Sequence, residues 1–191
     1  MTFPLFETIA IKNGEIQNIE LHQFRYEQSL AKYYANQPYF IFNLRSEIQH
    51  SYSLNEKLVR CRISYNAFNL DIHFFPYQKG KITTFKPIFC DEIDYELKFS
   101  DRNLLNQLYA KRGNCDEIMI IKKGWVTDCS IGNLLFRKNN QWFTPSTPLL
   151  NGTKRQQLLI ENRIIAREIK FIDLDYFEEI RLINAMNDLI D

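Results

Sequence analysis

Residues 97–155 read LKFSDRNLLNQLYAKRGNCDEIMIIKKGWVTDCSIGNLLFRKNNQWFTPSTPLLNGTKR, and this stretch constrains the fold more than any other. A lone lysine precedes an amphipathic run over 101–111, for which Asp101 is the expected N-cap. Strand-like segments then come in pairs. The first pair, 116–121 and 125–128, turns about Lys122-Lys123-Gly124, and the second, 134–138 and 141–144, turns about Asn139-Asn140. Asn151-Gly152-Thr153 opens a helical pattern over 153–166, followed by a short strand near Ile169, a helical turn over 173–179 and a last strand over 181–184. Strand-rich pieces punctuated by helices predict an α+β fold.

Three features of the stretch each suit a separate chemical task. Lys98 stands just ahead of an amphipathic run, where burial in a cleft would lower its basicity. Asp128 ends a short strand, where a carboxylate can pair with a protonated ring nitrogen. Gly152-Thr153 precede a helix, and the first amides of a helix bind phosphate. Singly, a lysine before a helix reads as solvated and an aspartate in a turn as a cap. In this order, the three supply what pyridoxal phosphate requires of a protein.

The ordered set resembles the C-terminal half of the class IV aminotransferases, the fold-type-IV pyridoxal phosphate enzymes. Lys98, Asp116-Glu117, Gly124-Trp125-Val126-Thr127-Asp128, Asn133-Leu134-Leu135-Phe136, Thr144-Pro145 and Gly152-Thr153-Lys154-Arg155 match that pattern in register. The resemblance implies two small α/β domains of the D-amino acid aminotransferase-like architecture, residues 1–77 and 81–191, with the cofactor in the cleft between them. It also implies a homodimer. Asp128 stands where the family usually has glutamate, and the shorter carboxylate can make the same ion pair if its strand sits closer.

Earlier in the chain, residues 3–20 alternate apolar and polar about Asn13-Gly14, the dipeptide best suited to a type I′ hairpin. Residues 21–35 carry apolar positions at helical spacing and set His22 and Arg25 on one helix face. A second helix is expected over 40–53, two paired strands over 57–65 and 69–77, a polar linker over 78–81, and a strand over 82–90. Phe6-Glu7-Thr8 and His22-x-x-Arg25 also resemble family motifs. The resemblance implies that Arg25 contacts the cofactor phosphate, for which a planar guanidinium fork is suited, and a surface salt bridge is the alternative. His22 reads as a structural, hydrogen-bonded histidine. The chain starts almost on the Phe-x-Thr strand, where family members begin with a longer arm.

Composition bounds the partners. With 191 residues, 45% of them hydrophobic, and 15 Phe and 10 Tyr, the chain can bury a core. A formal charge of +1 gives no electrostatic reason to expect nucleic acid or an anionic membrane as partner, and no apolar run is long enough to span a bilayer. No cleavable signal precedes Phe3, and Cys61, Cys90, Cys115 and Cys129 are scattered without a C-x-x-C pair. Reduced thiols in a cytoplasmic protein without metal is the plain reading.

The resemblance implies these roles. Lys98 holds pyridoxal phosphate as a Schiff base and then moves protons, while Asp128 keeps the ring nitrogen protonated. Arg25 and Gly152-Thr153 anchor the phosphate, Ser130 and Asn133 line the cofactor edge, and Thr8 faces substrate. Lys98-x-x-x-Arg102, Thr127-Asp128-Cys129 and Asn184-Ala185-Met186 are similar to aminodeoxychorismate lyases, which release 4-aminobenzoate and pyruvate in folate precursor synthesis. Arg102, Arg60 and Arg62 are the candidates for the substrate carboxylates. A solvated strand edge explains Arg60 and Arg62 equally well. The alternatives are a branched-chain or D-amino acid aminotransferase, and an inactive member kept as a binding protein.

Overall fold

In the computed structural model, which describes residues 2–189, the chain opens on β1 (Leu5–Lys12) and turns into the two-residue β2 (Glu15–Ile16). Asn13 and Gly14 take φ of 49° and 82°, as a type I′ turn requires, so the expected hairpin forms with a very short second arm. β1 pairs antiparallel with β3 (Leu58–Tyr65), and β3 with β4 (Leu70–Pro76), giving the sheet order β2-β1-β3-β4. In β3 the buried Val59, Cys61, Ile63 and Tyr65 alternate with half-exposed Arg60, Arg62 and Ser64. The buried set packs with Tyr26 and Leu30 of α1 (Ile19–Tyr34) and Leu44 and Ile48 of α2 (Leu44–Ser51). Each such side chain contributes about 1.5–3 kcal/mol of burial.

The second helix is shorter than the pattern over 40–53 predicts. Asn43 caps it by accepting a hydrogen bond from Ser46 N at 3.0 Å, and Phe40 N is spent on Ala67 O, which holds the preceding residues extended.

Met1–Lys79 with Leu97–Asp101 form one compact unit, and Gly80–Glu96 with Arg102–Asp191 the other. The expected boundary lies at residues 77–81, and Leu97–Asp101 nevertheless joins the first unit. Phe6 N donates to Lys98 O at 3.0 Å, Ser100 N donates to Pro4 O at 2.7 Å, and Leu97 and Phe99 enter the first core.

In the second unit β5 (Phe85–Phe89) runs parallel to β6 (Glu117–Lys122), which turns antiparallel into β7 (Trp125–Val126). A second sheet has the order β10-β9-β8-β11, from β8 (Asn133–Lys138), β9 (Gln141–Pro145), β10 (Ile165–Arg167) and β11 (Glu179–Ile183). Met119, Ile121, Val126, Leu134, Phe136 and Leu182 form its main core. β5 is shorter than expected because Thr83 and Thr84 wrap their amides and hydroxyls onto Asp116.

Two helices lie here, α3 (Asn103–Ala110) and α4 (Thr153–Ile160). Arg102, not Asp101, occupies the cap position of α3. The helix predicted over 153–166 stops at Ile160. Asn162 takes a left-handed φ of 55°, its N–H returns to Leu159 O and that of Arg163 to Leu158 O, a Schellman ending. Residues 165–167 leave the helix to pair parallel with β9. Near Ile169 there is a single bridge, Trp125 to Lys170, followed by a 3-10 turn at Phe171–Tyr176. Asn184-Ala185-Met186 lie beyond β11, in bends. Among the described residues no helix is long and apolar enough to cross a membrane.

Candidate active site

In the first unit, β1 presents two faces with different chemistry. Glu7 points to the helix-packed face and is fully buried. Its Oε1 accepts from Arg25 Nε at 2.8 Å, while Oε2 accepts from Arg25 Nη2 at 2.5 Å and lies 2.6 Å from His22 Nδ1. Burial alone would raise the Glu7 carboxyl, but the charge of Arg25 and the hydrogen bonds from His22 and Arg25 outweigh it and hold it at about 2. For buried His22, desolvation lowers the pKa against the opposing pull of Glu7. The imidazole is therefore neutral near pH 7 and donates from Nδ1. Sequence spacing did bring His22 and Arg25 together, and the anion that joins them is Glu7. A lone acidic residue in the largely apolar strand LFETIAIK was the available signal.

The other face of β1 carries Phe6, Thr8 and Ala10, and the register sets Thr8 opposite Arg62 and Ala10 opposite Arg60. Cross-strand partners share a face, so Thr8, Arg60 and Arg62 lie together. Lys98 joins them: its Nζ lies 4.6 Å from the centroid of the Phe6 ring. Arg62 stacks on that same ring, its guanidinium carbon 3.9 Å from the centroid. Arg60 lies over Phe75, its β4 partner, at 4.9 Å.

In the second unit a β-bulge presents Asp128. Thr127 N donates to Ile120 O at 3.0 Å while Ile120 N donates to Asp128 O at 2.8 Å, so two residues of one strand oppose one of the other. Such a bulge re-aims the side chain that follows it. The Asp128 carboxylate is buried, with Oδ1 accepting from Asn133 Nδ2 at 2.8 Å and Oδ2 from Leu150 N at 2.9 Å. Burial pushes this carboxyl up to about 6, against the lowering by these donors and by Arg155. Asn133 Nδ2 also donates to Leu150 O at 2.9 Å, tying the loop before α4 to the bulge.

Gly152 and Thr153 start α4 beside this group. A Cβ on Gly152 would stand 2.1 Å from Asn133 Oδ1, so only glycine fits. Gly152→Ala is expected to cost about 1–3 kcal/mol, read as a lowered urea midpoint, because Asn133 must give way. The same displacement would release Asp128.

Ser130 and Arg102 are brought together as well. Ser130 Oγ donates to Glu117 Oε2 at 2.9 Å, and Ser130 O accepts from Arg102 Nη2 at 2.7 Å. Both are thereby engaged in holding the turn after Asp128. Glu117, buried and bonded to this turn, was legible only as half of the Asp-Glu pair. Among the described residues no group of three or more His, Cys, Asp or Glu is placed to hold a metal ion.

A family model, amino-transferase class IV, matches residues 97–191. An uncharacterised protein of Haemophilus influenzae is 57% identical over 187 residues, which cover 98% of this chain and 100% of that protein. A crystal structure of a candidate 4-amino-4-deoxychorismate lyase from Haemophilus somnus superposes with a TM-score of 0.95 at 57% identity, over 99% of each chain. A hypothetical aminotransferase from Mycobacterium tuberculosis, in its α-ketoglutarate- and PMP-bound form, shares the fold with a TM-score of 0.78 at 16% identity, over 96% of this chain and 77% of that one.

Proposed function

Because this chain belongs to the class IV aminotransferase family and is an enzyme of that pyridoxal phosphate-dependent kind, we propose that it converts 4-amino-4-deoxychorismate to 4-aminobenzoate and pyruvate. The observation that carries the lyase reading is the 57% identity, along 99% of both chains, to the candidate lyase from Haemophilus somnus.

The donor set fits pyridoxal phosphate. The hydrogen-bond donors to Asp128, from Asn133 and the backbone of Leu149 and Leu150, are neutral amides, and its carboxyl sits near 6. A protonated ring nitrogen supplies the positive charge that would return it to the carboxylate range. Gly152 and the first-turn amides of α4 make a phosphate seat. Arg25 is the further phosphate ligand, although Glu7 already engages its Nε and Nη2. Pyridoxal phosphate, when bound, supplies an aldehyde for the substrate amine and a ring that accepts electrons from the neighbouring carbon.

The chain's own residues supply the proton handling. Lys98 would hold the cofactor through its aldehyde, and its amine is the base that would face the substrate. It takes the proton from the substrate ring carbon that bears the amine. The C–O bond to the enolpyruvyl group breaks as the substrate ring becomes aromatic, and that group takes up a proton and leaves as pyruvate. Thr8 assists this proton delivery. Ser130 and Asn133 flank the cofactor edge. Arg102, Arg60 and Arg62 are the cations offered to the substrate carboxylates, Arg102 while also bonded to Ser130 O. The protein acts in folate precursor synthesis as a cytoplasmic homodimer. Exposed Phe24, Phe40 and Phe68 on the first unit suit such an interface, and light scattering at micromolar concentration tests it.

The test is to incubate cofactor-loaded protein with 4-amino-4-deoxychorismate and quantify both products, with Lys98→Ala in parallel. Equal yields of 4-aminobenzoate and pyruvate, abolished by the substitution, are expected. Absence of both, with added amino acids shifting the cofactor's absorption band, would assign transamination instead. An unresponsive band would leave a binding protein.

A further inference from the structure

A buried arginine closes the loop that carries the Leu150 amide to Asp128. Residues 146–151 run from the end of β9 to the start of α4, and Arg155, in the first turn of that helix, reaches back to both ends of the loop. Its Nη1 donates to Asn151 Oδ1 at 2.9 Å and its Nη2 to Pro145 O at 2.9 Å. Both acceptors are neutral. Arg155 is 6% exposed, and its Nε is buried without a hydrogen-bond partner among the described residues.

Arginine is almost never buried this far unless an anion balances it, because a guanidinium keeps its full charge in a low dielectric. A neutral amide would tie the same loop at far lower cost. The balancing anion is held by the loop itself: Leu150 N donates to Asp128 Oδ2, and Asn133 Nδ2 joins Asp128 Oδ1 to Leu150 O. The two charges act on each other, Arg155 lowering the Asp128 carboxyl and Asp128 opposing the desolvation that lowers Arg155.

We propose that Arg155 is a positioning residue for Asp128: its fork closes the loop that presents the Leu150 amide, and its charge is the carboxylate's fixed counter-ion. This rests on the reading of Asp128 as the partner of the cofactor's ring nitrogen. An ionised Asp128 then awaits a protonated ring.

The other groups around Asp128 are common to the wild type and to variants at position 155. β6 contributes Glu117, which is bonded to Ser130, and the adjacent Cys129 keeps its thiol protonated through burial. Lys154 of α4 pairs with Asp188 at 2.8 Å, and Arg102 donates to Ser130 O. β8 and the loop itself contribute neutral amides. A difference between midpoints therefore reads position 155.

The experiment uses full-length, cofactor-free protein labelled with 13C at the aspartate carboxyls, so it does not depend on turnover. NMR follows the Asp128 carbon from about pH 4 to 9, and Asp128→Asn identifies its signal. The wild-type midpoint is expected at about 6. Arg155→Met should move it to about 6.5–7, a three- to tenfold larger ratio of acid to carboxylate near neutral pH. Arg155→Lys keeps a charge and loses the planar fork, so its midpoint should lie nearer the wild type than that of Arg155→Met. If Arg155→Met does not fold, Arg155→Gln replaces it, since its amide still offers a donor to Pro145 O. A midpoint that the neutral variants leave unmoved overturns the proposal and makes Arg155 a loop clamp only. So does an equal rise in Arg155→Lys and the neutral variant, which would trace the effect to a displaced loop. Midpoints as expected, with full turnover in Asp128→Asn, would strike the reading of Asp128 and leave the pairing standing. Failure of the 4-aminobenzoate assay with the midpoints as expected would strike the lyase reading alone.

Discussion

Glu7→Ala is expected to destabilise the protein by about 3–5 kcal/mol, read from urea unfolding at pH 7. Glu7 bonds both His22 Nδ1 and the Arg25 fork, and it lies inside a sheet-on-helix core with Ile9, Tyr26 and Tyr65. Truncation removes the buried carboxylate that the Arg25 fork and His22 bond, and the loss of that charge pairing is the main cost. Linkage gives a compatible scale. The folded carboxyl titrates at about 2 against an ordinary 4.5, so its contribution is fully present above 4.5 and is lost as pH falls through 2. That amounts to about 3 kcal/mol. The depressed His22 acts in the same direction, beginning near its ordinary 6.5. Acidification should therefore weaken the wild type steeply, and Glu7→Gln should show a shallower acid limb. A loss under about 1 kcal/mol in Glu7→Ala would mean that water reaches Arg25 easily and that the cluster does little for stability.

What the sequence disclosed and what it hid follow from how local each feature is. The hairpin at Asn13-Gly14 was legible because that dipeptide takes two successive positive φ values at little cost, and the alternation in β3 because one of its faces is buried. Helix ends were the weak point. α4 keeps its amphipathic rhythm beyond Ile160, and the local Schellman ending at Asn162 and the parallel pairing of β10 with β9 stop it, the second a tertiary contact that no local pattern reveals. The candidate site divides in the same way. Lys98, Asp128, Asn133 and Gly152 could be picked out by order along the chain. Glu7, Glu117 and the bulge opposite Ile120 could not, because each gains its meaning from a partner distant in sequence: Arg25, Ser130 and Ile120. The steric reason for Gly152, the Asn133 side chain at its Cα, was equally invisible. The two cations over Phe6 need strand register and the Leu97–Asp101 return to be known together.

Asp128→Asn separates a carboxylate kept for stability from one kept for chemistry. Its folded pKa is raised to about 6, with burial the largest cause, from an ordinary 3.8. A raised carboxyl favours folding below 3.8 and loses that contribution as pH climbs through 6, so at neutral pH the charged form is a burden of about 3 kcal/mol on the cofactor-free fold. Asparagine carries no such burden. It does leave a donor, such as Asn133 Nδ2 or Leu150 N, poorly matched, at a pH-independent cost of about 1–3 kcal/mol. In urea unfolding of cofactor-free protein, the variant should therefore gain about 3 kcal/mol on the wild type between pH 3 and pH 7. With cofactor, the variant should form product about a hundred- to a thousandfold more slowly, the usual scale for removing one preorganised electrostatic partner. A stability difference that stays flat with pH would show that the carboxylate is comfortably solvated by its donors. Undiminished turnover would remove Asp128 from the chemistry. The expected combination, a gain in fold stability at neutral pH with a loss of rate, is the mark of a charge whose compensating partner is the bound cofactor.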